Sequence, residues 1–306
     1  MSGKLRLYKE KLEGYNHFYS IVRTIKMVTM AKFRQLQTRM KTRDYTLRYT
    51  EKAFSTASTT AHEAAVKTKS KQACIPVMTN RGSCGALNSN VLKTIDLMSD
   101  GKMVLMPLGK KGIETLSKLY PDTFGYGIIN DMKEPMHFAY ASYVWENVNA
   151  LCPDADGFRV IFHRCISSGL QRQCCYTIPC YDKWKTDLVD ASSSENQKHR
   201  YLFANALLNE DEELMRDFYD FHASLAILNA VCENELSEQA ARLVAVEGQL
   251  SNITTLQQLT SSLYNKTRQS SITSSLIEII SAMTSLESNS AKGVQRTNFW
   301  ENTSKK

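Results

Sequence analysis

The sequence predicts an α/β middle domain set between two long helices, on three observations. Every proline lies between Pro76 and Pro179, so the first 75 residues and the last 127 lack the residue that most reliably breaks a helix. Nine of the thirteen glycines fall in the same window, and the C-terminal arm holds only Gly248 and Gly293. Inside the window, short apolar runs alternate with helical periods, the rhythm of an open, largely parallel sheet. The expected division is a helix over residues 1–64, an α/β domain over 72–190, a helix over 205–288 and a tail over 289–306.

In the N-terminal arm Leu5, Tyr8, Leu12, Tyr15, Tyr19 and Val22 alternate spacings of three and four. That is the seam of a seven-residue repeat, which winds two helices into a left-handed supercoil. Leu214, Phe218, Phe221, Leu225, Leu228 and Cys232 hold the same alternation in the C-terminal arm, drifting later through Leu236, Ala240, Leu243 and Val246. A chain that leaves and returns through one domain makes the two arms antiparallel. At about 1.5 Å per residue, arms of these lengths span roughly 80 and 120 Å, so the second outruns the first.

Within the middle domain, residues 74–79 read as a strand, 88–97 as a helix, 103–108 as a strand and 110–119 as a helix. Residues 135–151 follow as a longer helix, 158–163 as a strand and 173–178 as an antiparallel edge strand. About five strands are expected.

Charge is divided between the arms. Residues 1–60 carry thirteen Lys or Arg against four Asp or Glu, whereas residues 205–288 carry twelve acids against four bases. Opposite charge favours pairing the arms with each other over pairing each with a copy of itself; two separately solvated faces are the plainer reading. No run approaches the about 18–20 uncharged apolar residues of a membrane helix, so membrane association is expected to run through a partner. Eight cysteines with no apolar leader at the start read as reduced thiols.

The unpaired tip, residues 263–287, thins in apolar residues and is dominated by small and hydroxyl side chains from Ser270 to Ser275. Such a surface suits sliding in a sleeve better than gripping a core. Lys266 and Arg268 are its only cations, and Arg268 is either a bidentate partner for a carboxylate elsewhere or a solvated side chain.

Residues 79–88 (TNRGSCGALN) form a glycine-containing turn between strand and helix, a type that can cradle phosphate. They lack both the G-x-x-x-x-G-K-S/T of a P-loop and the G-x-G-x-x-G of a dinucleotide fold, so tight turning and close approach of the helix to the sheet or to a neighbouring subunit are the expected roles. His163, Cys165, Cys174, Cys175 and Cys180 lack the paired short spacings of a zinc site. No nucleophile and base stand out among the six histidines. The expectation is a non-enzymatic protein with no catalytic residues, metal or cofactor.

Three segments carry a family resemblance: residues 21–34 (IVRTIKMVTMAKFR), 80–90 (NRGSCGALNSN) and 263–281 (LYNKTRQSSITSSLIEIIS), with 237–245 (SEQAARLVA) leading into the last. In order and spacing the chain resembles the gamma subunit of the rotary, F-type ATP synthase over nearly its whole length. The resemblance implies an antiparallel coiled coil of the termini plus a Rossmann-like domain. It implies a rotor shaft, one copy per complex, inside a hexamer of alpha and beta subunits, its foot on epsilon or delta partners and the c-ring. Torque would couple proton translocation to ATP synthesis or hydrolysis. Lys26 and Met27 fall on the family's Lys-Met-Val segment and Arg268 and Gln269 on its Arg-Gln segment; with Thr273 they are the implied coupling contacts to beta. The basic residues 1–43, with only Glu10 and Glu13 acidic, favour the matrix side of the mitochondrial inner membrane over a bacterial cytoplasmic membrane.

The chain departs from the family at Asn80, Ser83 and Ala86 of the middle segment and at Ala282, where a glycine is common. Gly248 interrupts the last helix, at about 1 kcal/mol of propensity relative to Ala. Residues 192–213 read as a local expansion. Cys174 and Cys180 share the spacing of a chloroplast-type redox pair but without its inserted acidic loop, so thiol regulation is not expected. Two other classes stay open: a coiled-coil scaffold, which would self-associate, and a nucleic-acid binder on the basic arm, whose binding would fall steeply with salt.

Overall fold

The structure is a computed structural model that describes residues 2–54, 59–60, 71–98, 103–129, 136–193 and 198–294; at 2, 42–60, 193, 198–201 and 289–294 only the backbone is described. Parts of the expected N-terminal helix (55–58, 61–64), of the tail (295–306) and of the 135–151 helix (Pro135) lie outside these residues. In chain order the elements are α1 (Ser2–Phe54), β1 (Thr59–Thr60), β2 (Gln72–Pro76), α2 (Leu87–Met98), β3 (Val104–Leu105), α3 (Lys110–Leu119), α4 (Phe138–Leu151), β4 (Gly157–Ser167), β5 (Leu170–Pro179), α5 (Tyr181–Ser193), α6 (Lys198–Leu208) and α7 (Glu212–Val294). They form two compact units, one of Met1–Thr24 with Gln249–Lys306, the other Ile25–Gly248. Gly248, expected to interrupt the last helix, is carried inside α7 with open space around it.

The larger unit holds a five-stranded sheet in the order β1-β5-β4-β2-β3. β3, β2 and β4 are parallel, with Ala73 opposite Val104 on one side and Phe158 on the other. β5 returns antiparallel to β4 through a tight hairpin, as expected. It is not an edge strand throughout, because Thr59 and Thr60 pair with Cys175 and Cys174 on its outer side. Residues 73–76 of β2 and the first seven residues of β4 are buried on both faces, so they read as continuous apolar runs rather than alternating ones.

On one face lies the larger core, in which α4 brings Trp145 edge-on to Phe158 at 4.7 Å and to Tyr219 of α7 at 5.8 Å. The polar ends of these rings are satisfied: Trp145 Nε1 donates to Asp220 Oδ1 at 2.8 Å, and the Tyr219 hydroxyl donates to the Pro179 carbonyl at 2.7 Å. The other face packs Ile95, Met98 and Val91 of α2 and Leu116 of α3 on Cys74, Leu105 and Ile161.

The C-terminal arm starts at Glu212 and not at 205. Residues 198–208 form the separate helix α6, in the segment read as an expansion. Two further expectations fail in α7. Leu214 and Phe221, placed in a coiled-coil seam by spacing, are 49% and 46% exposed. The buried arc instead runs through Met215, Tyr219, His222, Ala223 and Ala226, because this part of α7 faces the sheet's core; Phe221 packs on the ring of Phe138. From Ala226 to Asn234 every residue is buried, the mark of a helix surrounded on all sides.

β4 outlasts its parallel neighbour. Its register with β2 ends at Ile161 opposite Pro76, yet β4 continues to Ser167. α7 takes up the open edge with side chains. Asn234 Oδ1 accepts the His163 backbone N–H at 3.1 Å, and Ser237 Oγ donates to the His163 carbonyl at 2.8 Å. Next to them Arg164 Nε donates to Glu233 Oε2 at 2.7 Å, and Arg164 Nη2 to the Tyr176 hydroxyl at 3.0 Å. A strand edge needs a partner for every buried N–H and C=O, and here a helix supplies it.

Candidate functional site

The surfaces of α1 and α7 that leave the core are the candidate site, and burial along each helix marks them out. In the smaller unit Leu5, Tyr8, Leu12, Tyr15 and Tyr19 of α1 are half-buried and Val22 is buried, as the seam predicts. On α7 the positions turned inward are Leu250, Ile253, Gln257, Thr260, Tyr264, Thr267, Ser271 and Ser274, again alternating three and four. Gln257 Nε2 donates to Asn16 Oδ1 at 2.8 Å. From residue 275 to residue 288 every side chain of α7 is exposed. The last half-buried position among the described side chains of α7 is Ser274.

The tip is not depleted of apolar residues. Ile272, Leu276, Ile277, Ile279, Ile280 and Met283 are each more than half exposed. What thins toward the tip is the inward row, which passes from Leu250 and Ile253 to threonine and serine, while the outward faces stay aliphatic. On α1 a second apolar row, missed in the sequence, is exposed at Phe18, Ile21, Ile25 and Val28. Its three-four-three spacing sits beside the seam row, and that offset was its sequence signal.

The five implied coupling residues fall in both units. Arg268, Gln269 and Thr273 are exposed on α7 of the smaller unit. Thr273 Oγ1 donates to the Gln269 carbonyl one turn earlier, at 3.0 Å. Arg268 makes no ion pair with a described residue. Lys26 and Met27 belong to the larger unit. Met27 is exposed, whereas Lys26 Nζ reaches Glu247 Oε1 of the acidic arm at 2.9 Å. That contact pairs the two charge signs as expected.

The 79–88 turn is closed by its own side chains. Thr79 donates its backbone N–H to Asn88 Oδ1 at 3.2 Å and its hydroxyl to the Arg81 carbonyl at 2.8 Å, and Asn88 Nδ2 returns to Thr79 Oγ1 at 2.8 Å. Ser83 and Gly85 both adopt a φ of 61°. Gly85 therefore serves turning, as expected, whereas within the chain neither Gly82 nor Gly85 makes a close approach, since both face open space. Asn80 Oδ1 accepts the Lys110 N–H at 2.9 Å and the Thr79 carbonyl accepts that of Lys111 at 3.0 Å, so the start of α3 is capped from within the chain. The turn docks on α7 through Cys84, Leu87 and Ala241.

A cleft of about 610 Å³ in the larger unit opens at the carboxyl ends of β2 and β3, with Lys32, Arg81, Glu238 and Arg242 on its wall. Arg242 is bonded to Glu238 and Gln239. Burial raises the Glu238 carboxyl above the usual range against the pull of Arg242. All eight cysteines are unbridged. Burial pushes the Cys74 thiol far up and that of Cys175 up to about 12, which leaves neither as a thiolate nucleophile at neutral pH. Among the described residues no helix is long and apolar enough to cross a membrane, and no cluster of three His, Cys, Asp or Glu is placed to hold a metal.

Comparison with known proteins places these surfaces in a family. A family model described as ATP synthase matches residues 4–286. The chain is 66% identical over 301 residues to the mitochondrial ATP synthase subunit gamma of Trypanosoma brucei brucei, covering 98% of each. Its fold is similar to a chain of the Euglena gracilis mitochondrial ATP synthase, solved with OSCP, F1 and c-ring, at a TM-score of 0.85 and 40% identity, covering 98% of this chain and all of that one. A chain of the Euglena rotor in another rotational state matches at a TM-score of 0.78 and 41% identity, covering 89% of this chain and all of that one. With a matching model over nearly its full length and relatives of this identity, the chain belongs to the family of ATP synthase gamma subunits.

Proposed function

We propose that this chain is the central rotor shaft of a mitochondrial ATP synthase, coupling proton translocation to ATP synthesis or hydrolysis without performing bond chemistry itself. The observation that carries this reading is the bare, aliphatic stretch of α7 beyond Ser274, with Ile277, Ile279 and Ile280 each 57–59% exposed. Exposed apolar surface of this extent belongs against a partner. Its partners are the alpha and beta subunits of the hexamer around the helices, and the c-ring with epsilon and delta subunits at the α/β domain. One copy serves each complex at the matrix side of the inner membrane.

Mechanically, a turning asymmetric surface works only by contacting the three beta conformations with different free energies, because equal contact would shift no population. Arg268 suits this role because its guanidinium presents a planar fork to a carboxylate. Gln269 and Thr273 extend the same polar patch, and Met27 with Lys26 supplies a second on α1. The bare apolar rows beside them tolerate rotation, since apolar contact is not directional. The test is ATP-driven proton pumping by the assembled complex with α7 shortened after Ser274. Lowered pumping per ATP hydrolysed supports the reading, and an unchanged ratio counts against it.

A further inference from the structure

A shaft must be gripped as well as turned, and the grip on α7 is visible in the larger unit. Most of residues 226–234 are themselves apolar: Ala226, Ile227, Leu228, Ala230, Val231 and Cys232 sit in the main core. Apolar packing resists separation but is weakly directional, so alone it defines the rotational setting of a helix poorly. Polar residues break that pattern: Asn229 is buried among them, and at the end of the stretch Glu233, Asn234 and Ser237 are 6%, 3% and 0% exposed. Glu233, Asn234 and Ser237 each bond to one of two consecutive residues of one strand, His163 and Arg164.

These bonds cannot slide. Asn234 and Ser237 hold the N–H and the C=O of the same residue, so a rotation or shift of α7 by one residue breaks both and leaves a buried peptide group unpaired. The Glu233–Arg164 pair is anchored in turn to the Tyr176 hydroxyl on β5. Strand edge, helix and hairpin are thereby indexed to one another, and buried polar groups are the device by which cores specify register.

We propose that Glu233, Asn234 and Ser237 form a torque clasp: positioning residues through which the α/β domain drives α7 without slippage. The proposal rests on the rotor reading above. Load applied to the sheet passes to α7 through the His163 peptide and the Arg164 guanidinium, while the surrounding apolar core supplies stability. Asn234 and Ser237 are thus needed for tight coupling more than for folding.

The experiment uses the assembled complex in sealed vesicles, measuring ATP hydrolysis and ATP-driven proton pumping together. For Asn234→Leu with Ser237→Ala, pumping per ATP hydrolysed should fall about threefold or more, the scale on which coupling residues act. Asn234→Asp and Ser237→Thr retain the acceptor and the hydroxyl and should keep the wild-type ratio. A core variant, Val231→Ala, separates grip from stability: it should lower the unfolding temperature and leave the ratio unchanged. Should the double variant not assemble, Ser237→Ala alone, which removes one bond and little volume, should lower the ratio by a smaller factor. An unchanged ratio in the clasp variants, or an equal fall in the Val231 variant, overturns the proposal. Failure of the rotor reading would look different, since the wild-type chain itself would then be missing from the pumping complex.

Discussion

Gln257 of α7 and Asn16 of α1 share an amide hydrogen bond of 2.8 Å, one turn of seam away from the buried side chain of Ile253. The polar pair fixes alignment and Ile253 supplies burial. Ile253→Ala should therefore destabilise the smaller unit by about 2–5 kcal/mol. Gln257→Ala should cost only about 0.5–1.5 kcal/mol, the net worth of one hydrogen bond. Amide hydrogen exchange over residues 249–274 measures both, and the order of the two effects is the prediction.

Shortening α7 should separate fold from function. Among the described side chains, removing residues after Ser274 takes away only exposed ones, 275–288, so the unfolding temperature should hold while coupling weakens. Cutting at residue 264 also takes the half-buried Tyr264, Thr267, Ser271 and Ser274, and should loosen the N-terminal part of α1 as well. Circular dichroism melts of the two truncations distinguish these outcomes.

Arg268→Ala should slow ATP turnover and pumping in the complex with no change in helicity, because Arg268 is exposed and makes no ion pair with a described residue. Arg268→Lys should recover only part of the activity, since an ammonium keeps the charge but lacks the fork. A large loss of helicity in Arg268→Ala would place the residue among those that hold the fold.

Much of this surface was legible because it depends on local periodicity. The α1 seam from Leu5 to Val22 follows from spacing alone, and α3 has the bounds its pattern gives, since Gly109 and Tyr120 punctuate it. The lower seam of α7 misled for a physical reason: Leu214 and Phe221 keep the heptad spacing, but the helix there faces a sheet and its buried arc is wider and rotated. The break between α6 and α7 at residues 209–211 carries no proline or glycine, so nothing local announced it. No local pattern marks Glu233, Asn234 and Ser237 as buried; their burial comes from the unmatched end of β4, a fact of sheet length that no single segment encodes.

Two buried histidines set an acid limit. Burial lowers the His163 pKa to about 4 and that of His222 to about 3, while each titrates near 6.5 when unfolded. Below pH 6.5 the unfolded chain binds more protons than the folded one, so stability falls with falling pH down to the folded values. Each histidine then contributes a loss of about 1.4 kcal/mol per pH unit between 6.5 and about 4. Denaturant midpoints taken from pH 7 to pH 5 should decline, and His222→Gln should flatten that decline.

Gly109 admits no side chain. Its φ is 107°, and a Cβ there would lie 2.2 Å from the Met78 carbonyl oxygen, where β2 runs on toward the 79–88 turn. Gly109→Ala should cost more than the about 1 kcal/mol of an average point substitution, since backbone has to move. Asn80→Ala, which removes the cap on Lys110, should cost about 1 kcal/mol, and Asn80→Asp should restore it. Thermal unfolding of the three variants ranks them.

The central claim is that this chain turns inside a larger machine, and the most direct measurement is native mass spectrometry of the intact assembly purified gently from its source, with ATPase activity assayed on the same sample. The account predicts one copy of the chain with three copies each of two nucleotide-binding subunits, active in ATP hydrolysis. A homodimer of this chain, or a complex with nucleic acid, would contradict it.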